Sequence, residues 1–269
     1  MRRLHFLDCL MGRHHRDGRR VQLQGSTALG RCVHCGAAME KRDGKWQPRS
    51  ISRPRLYALA ALAVVLIGLA LWQWGGLIQR RPDIVVFVGD SITEGVASRD
   101  PMTLSRPGLY QTHVGNDVIV ANEGVNGITL GSLAGRVASI EDYYRAGRKN
   151  VVVIDGGSND FAQGAKAADL FKTLQDYALR LRDGGWIVGV ATVMPRNGLP
   201  PEQERERQAF NRMIVSGPLR SQGIGIIDFD AAHHAGKIQI ADGVHPSDAG
   251  YAAMSKLDIA FADKALGRR

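Results

Sequence analysis

No cysteine occurs after position 35 in this chain of 269 residues. The three present, Cys9, Cys32 and Cys35, all precede a long apolar stretch. A disulfide framework is thereby excluded for everything downstream. Net charge is also missing from most of the chain. Residues 56–269 hold 22 basic and 22 acidic side chains, so the whole excess of +9 falls on residues 1–55. A body without net charge exerts no general pull on polyanions, and no nucleic-acid role is expected of it. Internal repeats are absent as well, and the apolar stretch is the only low-complexity run.

That stretch, residues 56–74, contains no charge and only Gln73 as a strongly polar member. As a helix it would extend about 28 Å, close to the ~30 Å hydrocarbon core of a bilayer. Tyr57 at one end and Trp72 and Trp74 at the other suit interfacial positions. A transmembrane helix is expected over residues 56–78, with residues 79–82 as a short linker. Arg49, Arg53 and Arg55 crowd its amino-terminal flank against Arg80 and Arg81 beyond. The positive-inside rule then keeps residues 1–55 cytoplasmic and exports the rest. The expected localisation is a bacterial inner membrane, single-pass, with residues 83–269 periplasmic.

Residues 1–55 carry Cys32-Val33-His34-Cys35-Gly36, the two-thiolate knuckle of small zinc sites. Cys9 and His14 could complete a tetrahedral set, with His15 as competitor and His34 as bystander. A structural zinc at Cys9, His14, Cys32 and Cys35, in a ribbon-like segment, would supply folding energy that so small a core lacks. The plainer reading is a disordered basic tail with incidental cysteines.

From residue 83 short apolar runs alternate with amphipathic stretches. Strands are expected at 84–88, 118–121, 151–154, 186–192 and 225–228. Helices are expected at 108–114, 130–146, 165–183, 201–216 and 247–265. Such alternation implies right-handed crossovers and a parallel sheet covered on both faces, an α/β fold. Ligands bind such sheets at the carboxyl edge, where Asp90-Ser91 follows the first strand. A serine after a strand is more often a helix cap than a nucleophile. Three further segments change that balance: Asn122-Glu123-Gly124, Gly157-Ser158-Asn159-Asp160 and Asp242-Gly243-Val244-His245-Pro246.

Together with Gly89-Asp90-Ser91-Ile92-Thr93, and in this order, these segments resemble the four blocks of the SGNH (GDSL-like) hydrolase superfamily over residues 83–265. The resemblance implies a flavodoxin-like three-layer α/β/α sandwich with a five-stranded parallel sheet, forming a domain at 83–269. It implies a carboxylic ester hydrolase that needs no catalytic cofactor. The expected nucleophile is Ser91, with His245 as base and Asp242 orienting it. The expected oxyanion hole is the N–H of Ser91, the N–H of Gly124 and the side chain of Asn159. Asp90, Glu94, Asn126 and Asp160 read as caps or loop braces, and His113, His233 and His234 as surface residues.

The expected function is a membrane-anchored serine esterase or acylhydrolase, with O-acetyl groups on envelope carbohydrate among its candidate substrates. Its partners would be a small ester or acylated carbohydrate and the membrane. An O-acyltransferase, a lysophospholipase or other lipid esterase, and a non-enzymatic membrane scaffold are the competing readings.

Overall fold

A computed structural model describes residue 9 and residues 13–18, 21–49, 61–69 and 82–268. The chain divides into two compact units, Met1–Gln79 and Arg80–Arg269.

The first unit contains an antiparallel sheet in the order β1 (Gln22–Gln24), β2 (Thr27–Arg31), β3 (Ala38–Arg42), β4 (Lys45–Pro48). Asp43 and Gly44 join β3 to β4 with φ of 48° and 78°. Two consecutive left-handed residues match the twist of a tight hairpin, which is why Asp-Gly is favoured there. Among the described residues, Cys9, Cys32 and Met39 form this unit's buried apolar cluster, with Ala37 and Trp46 packed against them. So small an apolar cluster leaves a role for a metal.

The membrane expectation requires correction. Among the described residues no helix is long and apolar enough to cross a membrane. Within the expected span of 56–78, the described helix covers residues 61–69. The remainder of the expected span lies outside the described residues. The single-pass inner-membrane localisation, with a cytoplasmic amino terminus and a periplasmic domain, is therefore not upheld.

The second unit is built on five parallel strands, β5 (Asp83–Gly89), β6 (Val118–Gly124), β7 (Asn150–Asp155), β8 (Ile187–Ala191) and β9 (Gly225–Ile227). Their order is β6-β5-β7-β8-β9. The side chains of Ile84 through Val88 are at most 1 % exposed. A strand covered on both faces explains the unbroken apolar run, each side chain contributing about 1.5–3 kcal/mol by burial. One core takes Val86, Val88, Val152, Ile154 and the buried face of the helix Ala167–Asp183, where Leu170, Leu174, Tyr177 and Leu181 recur at helical spacing. The other takes Val85, Phe87, Val151 and Val153 beneath the helices Arg106–Val114 and Asp248–Leu266. The α/β class and the five-stranded parallel sheet are as expected.

Two boundaries differ from expectation. The helix expected at 130–146 is two short ones, Leu130–Gly135 and Val137–Glu141. Gly131 and Gly135 lower helix propensity there, and Arg136 leaves helical geometry at ψ 15°. Strand β6 runs on to Gly124 rather than stopping near 121, because its whole length pairs with β5.

Register does the positioning. Gly89 at the end of β5 lies opposite Gly124 of β6 and Asp155 of β7. Three loops thus leave three adjacent strands at one level, on the carboxyl edge.

Candidate active site

Gly89 ends β5 because nothing larger fits. A Cβ there would stand 2.2 Å from Thr93 Oγ1 and 2.4 Å from the Asp155 carbonyl oxygen. The chain turns at Asp90, whose Oδ1 accepts the Ile92 N–H at 2.9 Å, capping a short helix, Ser91–Glu94. Gly95, with φ of 101°, closes that helix. Ser91 is therefore presented at a helix start, where backbone N–H groups face outward.

Ser91 Oγ lies 2.9 Å from His245 Nε2. His245 Nδ1 lies 2.8 Å from Asp242 Oδ2. The other oxygen of Asp242 accepts the N–H groups of His245 at 2.7 Å and Val244 at 2.9 Å. These bonds, the His245 N–H foremost, hold the Asp242 carboxyl well below the usual carboxylate range. An ionised carboxylate can only accept, so Nδ1 of neutral His245 carries the proton. Nε2 is then left with a lone pair facing the serine hydroxyl. That is the tautomer a general base requires.

The loop bearing these groups is pinned on both sides. Ala241 N–H donates to the His245 carbonyl at 2.8 Å, and Asn197 N–H to the Gly243 carbonyl at 2.7 Å. Ser247 then caps the helix Asp248–Leu266 by accepting the Gly250 N–H at 3.2 Å. Asp248 reaches back to the loop after Ser91, accepting from Ser98 Oγ at 3.0 Å and from the Arg99 side chain. This clamp had no signal in the sequence, since its halves are 149 residues apart.

The residues expected to form an oxyanion hole are placed less simply. Asn159 Nδ2 donates to the Ile128 carbonyl at 3.0 Å, leaving its second amide hydrogen uncommitted. Asp160 braces the same loop, with both oxygens about 3 Å from the Leu130 N–H. Its reading as a brace fits. Gly124 must be glycine because a Cβ would meet the Glu94 nitrogen at 2.2 Å. Its N–H, however, donates to Asn122 Oδ1 at 3.0 Å. Three residues on, Gly127 sits at φ 76° with open space where a Cβ would be. Two nearby amides are spent, Val125 on the Gly89 carbonyl and Ile128 on the Val125 carbonyl. The Gly127 N–H has no backbone or side-chain acceptor among the described residues.

The remaining histidines stand apart. His113 meets Asp263 at 2.7 Å and His234 meets Asp230 at 3.5 Å. Sequence reasoning missed a buried ionic cluster under Ser91, formed by Arg106, Asp155 and Asp258.

In the first unit, Cys9, His14, Cys32 and Cys35 bring their ligand atoms within 4.8 Å of one another. The Cys9 and Cys32 sulfurs are 3.6 Å apart, and Cys35 Sγ is 3.4 Å from His14 Nδ1. Tetrahedral zinc, with Zn–S about 2.3 Å and Zn–N about 2.0 Å, requires separations of roughly 3.8 and 3.6 Å. The cluster fits a structural zinc. His15, the competing ligand, instead packs its ring edgewise on His34 at 5.5 Å.

The model of the GDSL-like Lipase/Acylhydrolase family matches residues 87–253. No curated protein matches the chain. Among solved structures, a lipolytic G-D-S-L family protein from Veillonella parvula superposes with a TM-score of 0.57 at 21 % identity, over 66 % of this chain and 96 % of that one. A carbohydrate acetylesterase family member from Sinorhizobium meliloti gives 0.56 at 17 % identity, over 69 % and 99 %. The esterase EstA from a Pseudoalteromonas species gives 0.53 at 15 % identity, over 69 % and 100 %. At these identities the structures establish a shared fold.

Proposed function

Since the chain belongs to the GDSL-like lipase/acylhydrolase family and is a serine ester hydrolase, we propose that Ser91, His245 and Asp242 carry out its acyl transfer. The observation that carries this assignment is the unbroken relay from Asp242 Oδ2 through both imidazole nitrogens to Ser91 Oγ. Ser91 attacks the ester carbonyl while His245 Nε2 takes its proton. Asp242 keeps the imidazole oriented and stabilises it once charged. His245 then returns the proton to the leaving alcohol, and water resolves the acyl-enzyme by the same steps in reverse.

The proposed oxyanion donors are the Ser91 N–H, the free hydrogen of Asn159 Nδ2 and a glycine N–H from the loop after β6. Gly127 suits that third role better than Gly124, whose N–H would first have to leave Asn122. Each such donor typically contributes about 2.7–4 kcal/mol.

Among substrates we favour short acyl groups on a carbohydrate. In support, a carbohydrate acetylesterase family member is among the proteins that share this fold. The purified chain should turn over an aryl acetate and an acetylated oligosaccharide, and a lysolipid far more slowly. Faster cleavage of the lysolipid would reverse the substrate preference, and no cleavage of any ester would end the assignment.

The division proposed for the chain is a metal-binding segment within residues 1–55 and a hydrolase domain over 83–269. The purified protein should contain one zinc per chain by elemental analysis. Chelation should release it together with the circular-dichroism signal of β1–β4, because metal binding and folding are coupled in so small a core. Absence of stoichiometric zinc would leave the cysteines incidental.

A further inference from the structure

Four ionisable side chains are buried together beneath Ser91. Arg106 and Asp258 are 0 % exposed, Asp90 is 2 % exposed and Asp155 is 6 % exposed. Arg106 donates from Nε to Asp258 Oδ2 at 2.8 Å and from Nη2 to Oδ1 at 2.9 Å, a two-pronged pair. Its Nη1 reaches Asp155 Oδ2. The guanidinium is thus committed to two carboxylates. Asp90, the residue before the nucleophile, is the third carboxyl, and its recorded hydrogen bond is the one from the Ile92 N–H.

The charges do not balance. One guanidinium faces three carboxyls, so full ionisation would leave two uncompensated negative charges out of water. A buried group in that position keeps a proton instead. Asp258 holds two guanidinium bonds, Asp155 one and Asp90 none, so Asp90 is the first of the three to keep a proton, although burial pushes Asp155 upward as well. The groups facing Asp90 agree. Asp155 comes from the end of β7, Arg106 from the helix Arg106–Val114, Asp160 from the helix Ser158–Ala162, and Tyr251 from the last helix. His245 stands beyond Ser91, bonded to its hydroxyl. Arg106 is the permanent cation, and its bonds are spent. Burial first, and the charge of Asp155 next, push the Asp90 carboxyl up to about 7.

We propose that Asp90 is a positioning residue kept as a neutral acid, and that this neutrality permits negative charge to develop at Ser91. The proposal rests on the serine-hydrolase reading. An oxyanion held by the Ser91 N–H forms one residue from Asp90, where little water intervenes. A carboxylate there would repel it, and roughly tenfold or more in rate would be lost. A neutral acid keeps the helix cap without that repulsion.

Stability carries the same signature. The unfolded chain releases this proton near the ordinary value of 3.8, whereas the folded chain holds it to about 7. Between those values the folded state binds more protons, so stability falls as pH rises through that window.

The test uses the full chain. Infrared spectroscopy at slightly acid pH should show the carbonyl band of a buried protonated carboxyl, which fades as pH rises and is missing in Asp90→Asn. In parallel, the ratio of wild-type to Asp90→Asn kcat for an aryl acetate should fall roughly tenfold between about pH 6 and about pH 9, a ratio from which the titration of His245, common to both proteins, cancels. Asn caps helices as well as Asp, so the variant should fold. Should it not, the wild-type band alone decides where a proton is held. A missing wild-type band overturns the proposal. So does a band that survives in Asp90→Asn and vanishes in Asp155→Asn. A correct band with a ratio that stays level over that range overturns the catalytic half. A correct band in a protein that cleaves no ester upholds the proton and sinks the hydrolase reading instead.

Discussion

Ser91→Ala is expected to lower kcat on a short-chain aryl ester by roughly 10⁶-fold, the loss typical of removing an activated serine nucleophile. Ser91 is 6 % exposed, and its hydroxyl is held 2.9 Å from His245 Nε2. Among the described residues no other hydroxyl is placed against that nitrogen. Removing one oxygen leaves the Asp90 cap and the close approach of Gly89 to Thr93 intact, so the fold should survive. Thermal melting and kinetics on the same sample separate the two effects. Turnover near that of the wild type in a folded Ser91→Ala protein would remove the nucleophile assignment altogether. The family match would then have to be explained through another residue.

Asp242→Asn should cost roughly 10⁴-fold in kcat, with a small change in stability. Asp242 has two jobs, and the substitution divides them. Its Oδ1 accepts the backbone N–H groups of Val244 and His245, and an amide oxygen can do the same. Its Oδ2 accepts from His245 Nδ1, and there an amide would present NH2. The imidazole would answer by moving its proton to Nε2, where it meets the Ser91 hydroxyl as a second donor. The base would be in place but facing the serine with the wrong atom. Half of the Asp242 side-chain surface meets solvent, so its loop bonds contribute little to folding. The pH dependence has a definite sign. Because the folded carboxyl lies below its ordinary value, the stabilisation is complete above that value and is lost as pH falls toward the folded one. Near-normal rates for Asp242→Asn would reduce Asp242 to a loop brace.

Much of the hydrolase domain could be read before any coordinates. The run from Ile84 to Val88 is apolar because a central strand has two buried faces, and alternation with amphipathic stretches implies crossovers. The helix end at Asp183, before two glycines, and the helix start at Pro201 follow from local punctuation and agree with the structure. The Asp43-Gly44 hairpin is equally local, but no apolar alternation in the flanking residues marks its strands. The membrane span shows the opposite error. Composition over 56–74 suits a bilayer core, yet among the described residues no helix is long and apolar enough to cross one.

Hydrogen-bond allocation is another matter. A glycine in a loop advertises close backbone approach, and Gly124 does allow it, against Glu94. Whether its N–H is free depends on Asn122 turning back on the same strand, which no spacing rule conveys. Arg106 likewise looks like any surface arginine in the sequence. Its partners Asp155 and Asp258 are 49 and 152 residues away, and only the packing of two helices on the sheet unites them.

Local chemistry settled which residue types stand at the carboxyl edge, since a tight turn, a short helix and an Asp-x-x-His loop each need only a few consecutive residues. Assembly settled which atoms meet, because the bond between residues 91 and 245 closes a loop of 154 residues. The entropy of that closure is offset by the packed sheet rather than by the bond itself.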